Sequence, residues 1–396
     1  MSGGNPGENA SRGAAAARPR APRGRLTPAD LPLPFEGLRY EIVDVDQAPR
    51  LNGFFNLVFG QQRPDEVAAW KYFGATPAMP AVGMATEIDS GRVVAMHPSV
   101  VRRLWACGKE HLVYQAGDVA IAPDFRRGMQ LYKQFVHWVQ WTGLLNQGVM
   151  FGYGGRVTSA HRRLGKRLLG YEDLLALPIY DRRLSPRATV KRRLGAVAGA
   201  AAHAAATPFH ALRHVSGRRG VGVREFEGFD ERHDALWARL RDRYQIALVR
   251  DRAVLDWRYG RNPVGIHRFF EARRGGELAA WGVLRCWNEG STRIGTVIDL
   301  CDGHDAELAA ALIQAASAEA RRQGCDFLRV APQAGSAAAK AVAGLAGFFP
   351  GRAETDQVIF KVLPPDPAAY GAAELAAYLV DGAHWSYAQG DSDYRE

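Results

Sequence analysis

The stretch Asp118-Val-Ala-Ile-Ala-Pro-Asp-Phe-Arg-Arg-Gly-Met-Gln-Leu-Tyr132 carries a short apolar strand through a proline and an Arg-Arg-Gly into an amphipathic helix. That order predicts an anion-binding turn. The first N–H groups of a helix have no partner within it and carry the positive end of its dipole. Gly128 permits close approach of backbone, and Arg126 and Arg127 add charge beside it, so a pyrophosphate is the expected ligand.

Outward from this turn, the chain repeats itself. Arg63 to Tyr72 reads Arg-Pro-Asp-Glu-Val-Ala-Ala-Trp-Lys-Tyr, and Arg250 to Tyr259 reads Arg-Asp-Arg-Ala-Val-Leu-Asp-Trp-Arg-Tyr, with Arg, Val, Trp and Tyr in one register. A proline follows each copy (Pro77, Pro263), then a glycine turn (Ser90-Gly91, Gly275-Gly276), then a strand-like run (Val93 to Met96, Leu278 to Leu284). Gly117 to Ile121 is answered by Thr296 to Leu300, and a long helix follows both. An internal repeat of this length predicts two related units, and 396 residues suit two domains better than one.

The turn resembles the acetyl-CoA loop of the GNAT N-acetyltransferases, in which a strand ending Val-x-Pro continues Arg-x-x-Gly-x-Gly/Ala before the helix. This chain is one residue shorter near Arg127 and has Gln130 where a second Gly or Ala is common. Gly170-Tyr171-Glu172-Asp173-Leu174 resembles the ending of such a unit, and Gly347-Phe348 marks the corresponding place in the second copy. The whole is similar to tandem GNAT proteins of the kind associated with bacterial surface polysaccharide genes. The resemblance implies an α/β (α+β) protein of two tandem GNAT-like units, each a mixed, mostly antiparallel central sheet flanked by helices. The expected division is a disordered basic tail (1–37), a cofactor-binding unit one (38–183), a basic Ala-rich linker (184–221), a degenerate unit two (222–365) and a C-terminal segment near the acceptor cleft (366–396). In unit two the phosphate loop is replaced by Cys301-Asp302-Gly303-His304-Asp305. Carboxylates there favour a helix N-terminus on their own account, so unit two is expected to wall the acceptor site without binding a cofactor.

Charge and composition narrow the class. The net charge of +10 is concentrated in two segments, residues 1–25 at +4 and 184–220 at +7, which leaves the rest of the chain close to neutral. A specific nucleic-acid face on either unit is therefore not expected. The basic linker suits weak contact with an anionic membrane surface, but its apolar run from Leu194 to Ala206 is shorter than the roughly 20 residues of a membrane span. Residues 1–25 contain no apolar run of a signal sequence. Four scattered cysteines, Cys107, Cys286, Cys301 and Cys325, form no C-x-x-C pair. They read as buried reduced thiols of a cytoplasmic protein without a metal site.

Acyl transfer to an amine needs a base for the amine, a donor for the developing oxyanion and a proton for the departing thiolate. By the resemblance, the strand Val119, Ala120, Ile121 and Ala122 pairs with the pantetheine arm, and Arg126, Arg127, Gly128, Met129 and Gln130 hold the pyrophosphate. The helix where the family often carries a tyrosine reads Ser159-Ala160-His161-Arg162-Arg163-Leu164, so His161 and Tyr153 are the candidate acids. Asp118, Glu110 and Glu87 are candidate bases acting through water, with Asp118 preferred at the head of the central strand.

The ending Trp385-Ser-Tyr-Ala-Gln-Gly-Asp-Ser-Asp-Tyr394 is rich in aromatics for a tail and resembles the Trp-x-x-x-x-Gly-Asp-x-Asp ending of some tandem GNAT proteins. In an extended segment Asp391 and Asp393 share one side, and Trp385 is expected to stack on a ring. Trp70 and Tyr72 are further candidates for the acceptor site. The expected function is acetyl-CoA-dependent N-acyl transfer to an amino sugar or other polar amine, small or part of a glycan. A non-catalytic acyl-CoA-binding module and a Fem-type aminoacyl transferase using charged tRNA are the alternatives.

Overall fold

A computed structural model describes residues 25–75, 77, 79, 81–185, 220–265, 267–351 and 355–392. The tail before residue 25, most of the Ala-rich linker with its proposed membrane contact, and Asp393 lie outside the described residues. Residues 25–37, expected to be disordered with the rest of the tail, are fixed at two points. Arg25 Nε donates to the Ala369 carbonyl at 3.1 Å and the Leu26 N–H donates to Tyr370 Oη at 2.9 Å.

Three sheets organise the fold. A four-stranded antiparallel sheet contains Leu38–Val43, Val82–Glu87, Val93–His97 and Ala120–Ile121, with the last at its edge. A seven-stranded sheet runs in the order Trp385–Ser386, Ile246–Leu248, Ser99–Ala106, Lys109–Ala116, Phe151–Gly155, Asp356–Val362, Glu172–Leu177. The third is also seven-stranded: Val221–Phe226, His267–Arg274, Glu277–Glu289, Thr292–Cys301, Phe327–Val330, Tyr180–Arg183, Phe348–Pro350. Mixed sheets flanked by helices match the expected fold class.

The boundary expected at residue 183 does not separate the sheets. Tyr180–Arg183 inserts between Phe327–Val330 and Phe348–Pro350 of the second half, while Asp356–Val362 inserts between Phe151–Gly155 and Glu172–Leu177 of the first. Each half thus lends its last strand to the other. Buried polar pairs fix the exchange: Asp181 accepts two hydrogen bonds from its cross-strand partner Arg329, at 2.9 and 3.1 Å. Such doubly bonded Arg–carboxylate pairs are both strong and geometrically demanding, and local sequence patterns contain no trace of which sheet a strand will join.

Helix packing follows from side-chain size. Ala306–Arg322 buries an alanine-rich face and lies close enough to the sheet that a Cβ at Gly295 would sit 2.7 Å from Ala320 Cβ. In the first half, Gln130–Val139 buries Leu131, Phe135, Val136 and Val139, the three- and four-residue spacing of one helix face. Phe135 lies edge-on to Tyr40 with ring centroids 5.1 Å apart. The two helices of the sequence repeat meet through their tryptophans: Trp70 Nε1 donates to the Trp257 carbonyl at 2.7 Å, and Trp257 Nε1 donates to the Trp70 carbonyl at 3.0 Å. Of the cysteines, Cys107 is exposed and only the other three are buried; all four are free thiols.

Candidate functional site

The expected central strand is broken. Lys109–Ala116 pairs in parallel with Phe151–Gly155 as far as Gln115 opposite Tyr153, whereas Ala120–Ile121 pairs with Val93–His97 in the other sheet. Between them Asp118 adopts a left-handed φ of 48°, uncommon for a residue other than glycine and supported by the short polar side chain of Asp. The strands therefore splay, and one side of Ala120–Ile121 has no strand partner among the described residues; a cleft opens at the break. The cleft encloses about 240 Å³ and is bordered by Gly117, Asp118 and Val119 in the break on one side and by Gly154 to Thr158, the end of a strand and the segment after it, on the other, with Tyr132, His161 and Tyr171 closing its sides.

The expected anion turn precedes the helix that supplies Tyr132 to the cleft wall. Gly128 (φ 64°) and Met129 (φ 56°) are both left-handed, and Gln130–Val139 starts with no side chain capping it. Its first N–H groups are donors of the kind that holds anions, while the Arg126 and Met129 amides donate within the turn to the Pro123 and Arg126 carbonyls, at 3.3 and 3.2 Å. Arg126 turns back, its Nε donating to the Ile121 carbonyl at 2.9 Å, which ties the turn to the edge strand; Arg127 is exposed. A Cβ on Gly128 would meet only Gln130 Cγ, at 3.8 Å, so backbone conformation rather than crowding calls for glycine here.

Asp118 borders the cleft at the centre of a buried cluster. Its Oδ2 accepts from Arg63 Nη1 (3.0 Å), Lys71 Nζ (2.7 Å) and Tyr72 Oη (2.5 Å). Burial pushes a carboxyl up, but Lys71, Tyr72 and Arg63 together outweigh it and hold Asp118 below the usual carboxylate range. Tyr72, expected at the acceptor, is instead buried in this cluster, and burial beside Asp118 raises its phenol well above normal. Trp70 is committed to its pairing with Trp257. Arg63 and Lys71 were not singled out from the sequence as site residues, although Arg63 stands in the repeat.

His161 lies in the cleft wall, where its Nδ1 meets Thr158 Oγ1 at 3.0 Å. Among the described residues its Nε2 has no partner. Tyr153 does not border the cleft. Fully buried, it directs its hydroxyl to the Asp391 carbonyl (2.9 Å) and Gln115 Oε1 (3.2 Å), and burial pushes the phenol up to about 12. Of the three residues expected to be catalytic, the structure therefore brings Asp118 and His161 to one cleft and leaves Tyr153 in the core. Glu87 is remote from it, bound to Arg92 and Ser90, and Glu110 pairs with Arg103.

The C-terminal segment is docked, but differently from the extended arrangement expected. Trp385–Ser386 adds to the sheet in parallel with Ile246–Leu248. Trp385 is buried, its Nε1 donating to the Leu379 carbonyl at 2.9 Å, so its ring is core rather than a stacking surface. Residues Gln389–Asp391 form a 3-10 turn rather than an extended segment; the expected alignment with Asp393 lies outside the described residues. Asp391 is buried against Arg250 Nη2 at 2.6 Å. The segment then reaches the cleft strand: a Cβ on Gly155 would lie 2.3 Å from Ser392 Oγ.

The second half repeats this plan with other chemistry. Arg250 and Tyr259 bind Asp299, with Arg250 Nε at 3.2 Å from Oδ1 and Tyr259 Oη at 2.8 Å from Oδ2, the partners that Arg63 and Tyr72 give Asp118. Aligning Gly117–Ile121 with Thr296–Leu300 places Asp118 opposite Val297, so the functional match is displaced by two residues at the break in the first-half strand. A cavity of about 440 Å³ lies beside it, bordered by Arg243, Asp299, Asp302, His304, Gln333 and the segment ending at Gln389. Here the helix is capped: Asp305 Oδ1 accepts from the N–H groups of Glu307 (2.9 Å) and Leu308 (3.1 Å). Burial raises Asp302 to about 6.

No protein-family model matches the chain, and no curated protein matches it. Solved structures do. N-myristoyltransferase from Saccharomyces cerevisiae with bound myristoyl-CoA aligns over 85% of this chain and 86% of its own, at 12% identity and a TM-score of 0.56. A GCN5-related N-acetyltransferase from Anabaena variabilis aligns over 82% of this chain and 73% of its own (11% identity, TM-score 0.55), and one from Kribbella flavida over 85% and 73% (15% identity, TM-score 0.54). At these identities the likeness is one of fold: mixed sheets flanked by helices, shared with these acyl-transferring proteins. Among the described residues no helix is long and apolar enough to cross a membrane, and no group of His, Cys, Asp and Glu is placed to hold a metal ion.

Proposed function

We propose that the chain is an acyl-CoA-dependent N-acyltransferase, with acetyl-CoA in the first-half cleft and an amino sugar or similar polar amine as acceptor. The observation carrying this reading is the uncapped helix start at Gln130 beside an unpaired sheet edge at Ala120–Ile121. Amides of Arg127, Gly128 and Gln130 would receive the pyrophosphate, with the exposed Arg127 side chain beside them, while those of Arg126 and Met129 hold the turn itself. The edge from Val119 to Ala122 would pair with the pantetheine arm and offer an N–H to the thioester oxygen, where a fixed donor counts most as charge develops. The thioester supplies the activated carbonyl; the acceptor nitrogen bonds to that carbon, the carbon–sulfur bond breaks, and the amine's proton is passed on.

Two side chains suit the proton transfers. The three donors to Asp118 all reach Oδ2, which leaves Oδ1 to take the amine proton through water, from a carboxylate held ionised. His161 Nε2 suits the departing sulfur, with Thr158 orienting the ring. The acceptor would enter where Phe59, Asp118 and Gly155 border the cleft, with Ser392 of the C-terminal segment alongside. In this reading Trp70, Trp385 and Asp391 shape the acceptor wall from behind rather than touch the substrate.

The test is calorimetry with CoA followed by turnover of acetyl-CoA over a panel of amines. Binding at one site per chain with transfer to a polar amine is expected. CoA binding with no transfer to any amine would leave a binding module, and salt-sensitive binding of charged tRNA without CoA binding would replace the reading altogether.

A further inference from the structure

The cleft of the first half closes against a polar wall. The strands on either side of it converge at Gln115 and Tyr153. The cleft is lined on its inner side by Tyr171 and Leu169, each 5% exposed, and by buried His97. Behind Tyr171 lies a hydrogen-bonded chain of side chains. Tyr171 Oη meets Tyr114 Oη at 2.6 Å, Gln140 Nε2 donates to Tyr114 Oη at 2.8 Å, and Lys361 Nζ donates to Gln140 Oε1 at 2.7 Å.

Three independent elements hold this chain in place. Gln140 opens the π-helical turn Gln140–Leu144 that interrupts the helix after Val139, an irregularity often found at functional sites. Lys361 comes from the strand lent by the second half, and burial lowers its amine to about 7. The Tyr114 ring rests on Gly152, where a Cβ would lie 1.9 Å from Tyr114 Cε1, so the sequence keeps glycine there to seat the ring. Tyr114, Gln140 and Lys361 are all buried. An acyl chain continuing past Tyr171 would have to break hydrogen bonds among two phenols, an amide and an amine, and groups left unpaired in the interior are costly. The cleft's 240 Å³ is also below the roughly 300–1,000 Å³ of common ligand pockets, and the pantetheine arm must share it.

We infer that Tyr171, backed by Tyr114, Gln140 and Lys361, limits the acyl group to acetyl and its near homologues and excludes medium and long chains. This rests on the reading of the cleft as an acyl-CoA site, and calorimetry with CoA, acetyl-CoA and octanoyl-CoA separates the two. CoA and acetyl-CoA are expected to bind alike, with octanoyl-CoA weaker than acetyl-CoA by at least roughly ten-fold. Tyr171→Ala should recover that loss, raising the affinity for octanoyl-CoA relative to acetyl-CoA by a similar factor. An open tunnel in the wild-type chain would instead tighten binding about four-fold for each methylene buried, and octanoyl-CoA binding more tightly than acetyl-CoA overturns the inference. Failure of CoA itself to bind overturns the cofactor reading and the inference with it. Should Tyr171→Ala unfold, Lys361→Met, which removes the buried amine and keeps its bulk, is expected to relax the limit in the same direction; no change in the octanoyl-CoA to acetyl-CoA ratio in that folded variant also counts against it.

Discussion

The two halves present the same helix start in opposite electrostatic states. In the first, Gln130–Val139 begins after two left-handed residues with its N–H groups uncapped; in the second, Ala306–Arg322 begins under the carboxylate of Asp305. A helix start attracts an anion whether that anion is a ligand or a side chain. The second half has supplied its own. The buried clusters differ in the same sense. In direct ion pairs, Arg63 and Lys71 both meet Asp118, whereas Arg250 meets both Asp299 and Asp391, with the guanidiniums of Arg102 and Arg258 buried nearby. Under the proposed reading, one scaffold leaves the first half to receive an anionic cofactor, while the second satisfies its own helix start with Asp305.

The largest expected contrast between the halves is in stability. Arg250→Ala leaves Asp299 and Asp391 buried without their shared cation, a loss expected to cost about 3–5 kcal/mol. Arg63→Ala should cost less, because Lys71 still serves Asp118. Urea unfolding of the two variants measures this; equal losses would mean that the clusters are not inverted in their ion pairing.

A transplant tests the helix start itself. Met129→Asp would place a carboxylate where the first half has none, at a left-handed position that Asp accepts. CoA affinity is expected to fall roughly 100-fold, as like charges are opposed at the turn, with the melting temperature unchanged or raised. Undiminished binding would move the pyrophosphate away from Gln130.

Much of this contrast was legible in the sequence, and the reason is local. The turn at Gly128, the acidic substitutes Asp302 and Asp305 and the repeat of Arg, Trp and Tyr all act within a few residues, through capping and chain conformation. Arg63 and Arg250 were visible as repeat positions, yet their carboxylate partners lie 55 and 49 residues away and depend on a strand break that shifts the alignment by two. The exchange of Tyr180–Arg183 and Asp356–Val362 left no signal, because a strand's pattern specifies its faces but not its neighbours. Trp385 and Asp391 were misplaced for a related reason: aromatic and acidic residues near a chain end suit a ligand or a core, and only tertiary contacts decide.

A third contrast is in titration. Asp118 is held below the usual carboxylate range, so its contribution is present above the unfolded value and lost as pH falls through the lowered one. Asp302 is raised from 3.8 to about 6 by burial, and the sign reverses: between these values the folded chain holds a proton that the unfolded chain has released. Stability from this group therefore declines as pH rises from about 4 through about 6, by on the order of 2 kcal/mol. Asp302→Asn keeps the acceptor for the His304 N–H and should flatten that slope. A variant whose unfolding curve falls as steeply over this window as the wild type would assign the slope to another group.

The smallest effect carries the sharpest test of the comparison. Asp305→Ala removes the cap from Glu307 and Leu308 and the contact with Arg274 at 2.8 Å. The contact lies at the surface, where ion pairs add little, so the expected cost is that of a lost cap, about 1 kcal/mol. Freed N–H groups alone should not create a second CoA site. Asp302 remains buried beneath the turn, Glu307 remains in the first turn of the helix, and in the cluster below Arg250 still pairs with two carboxylates. Calorimetry on this variant is therefore expected to keep one CoA per chain. A stoichiometry of two would show that a single carboxylate separates the halves and that the inverted cluster contributes nothing to the choice. One CoA per chain with the modest loss of stability would show the asymmetry to be built in layers, from the cap inward to Asp299 and Asp391.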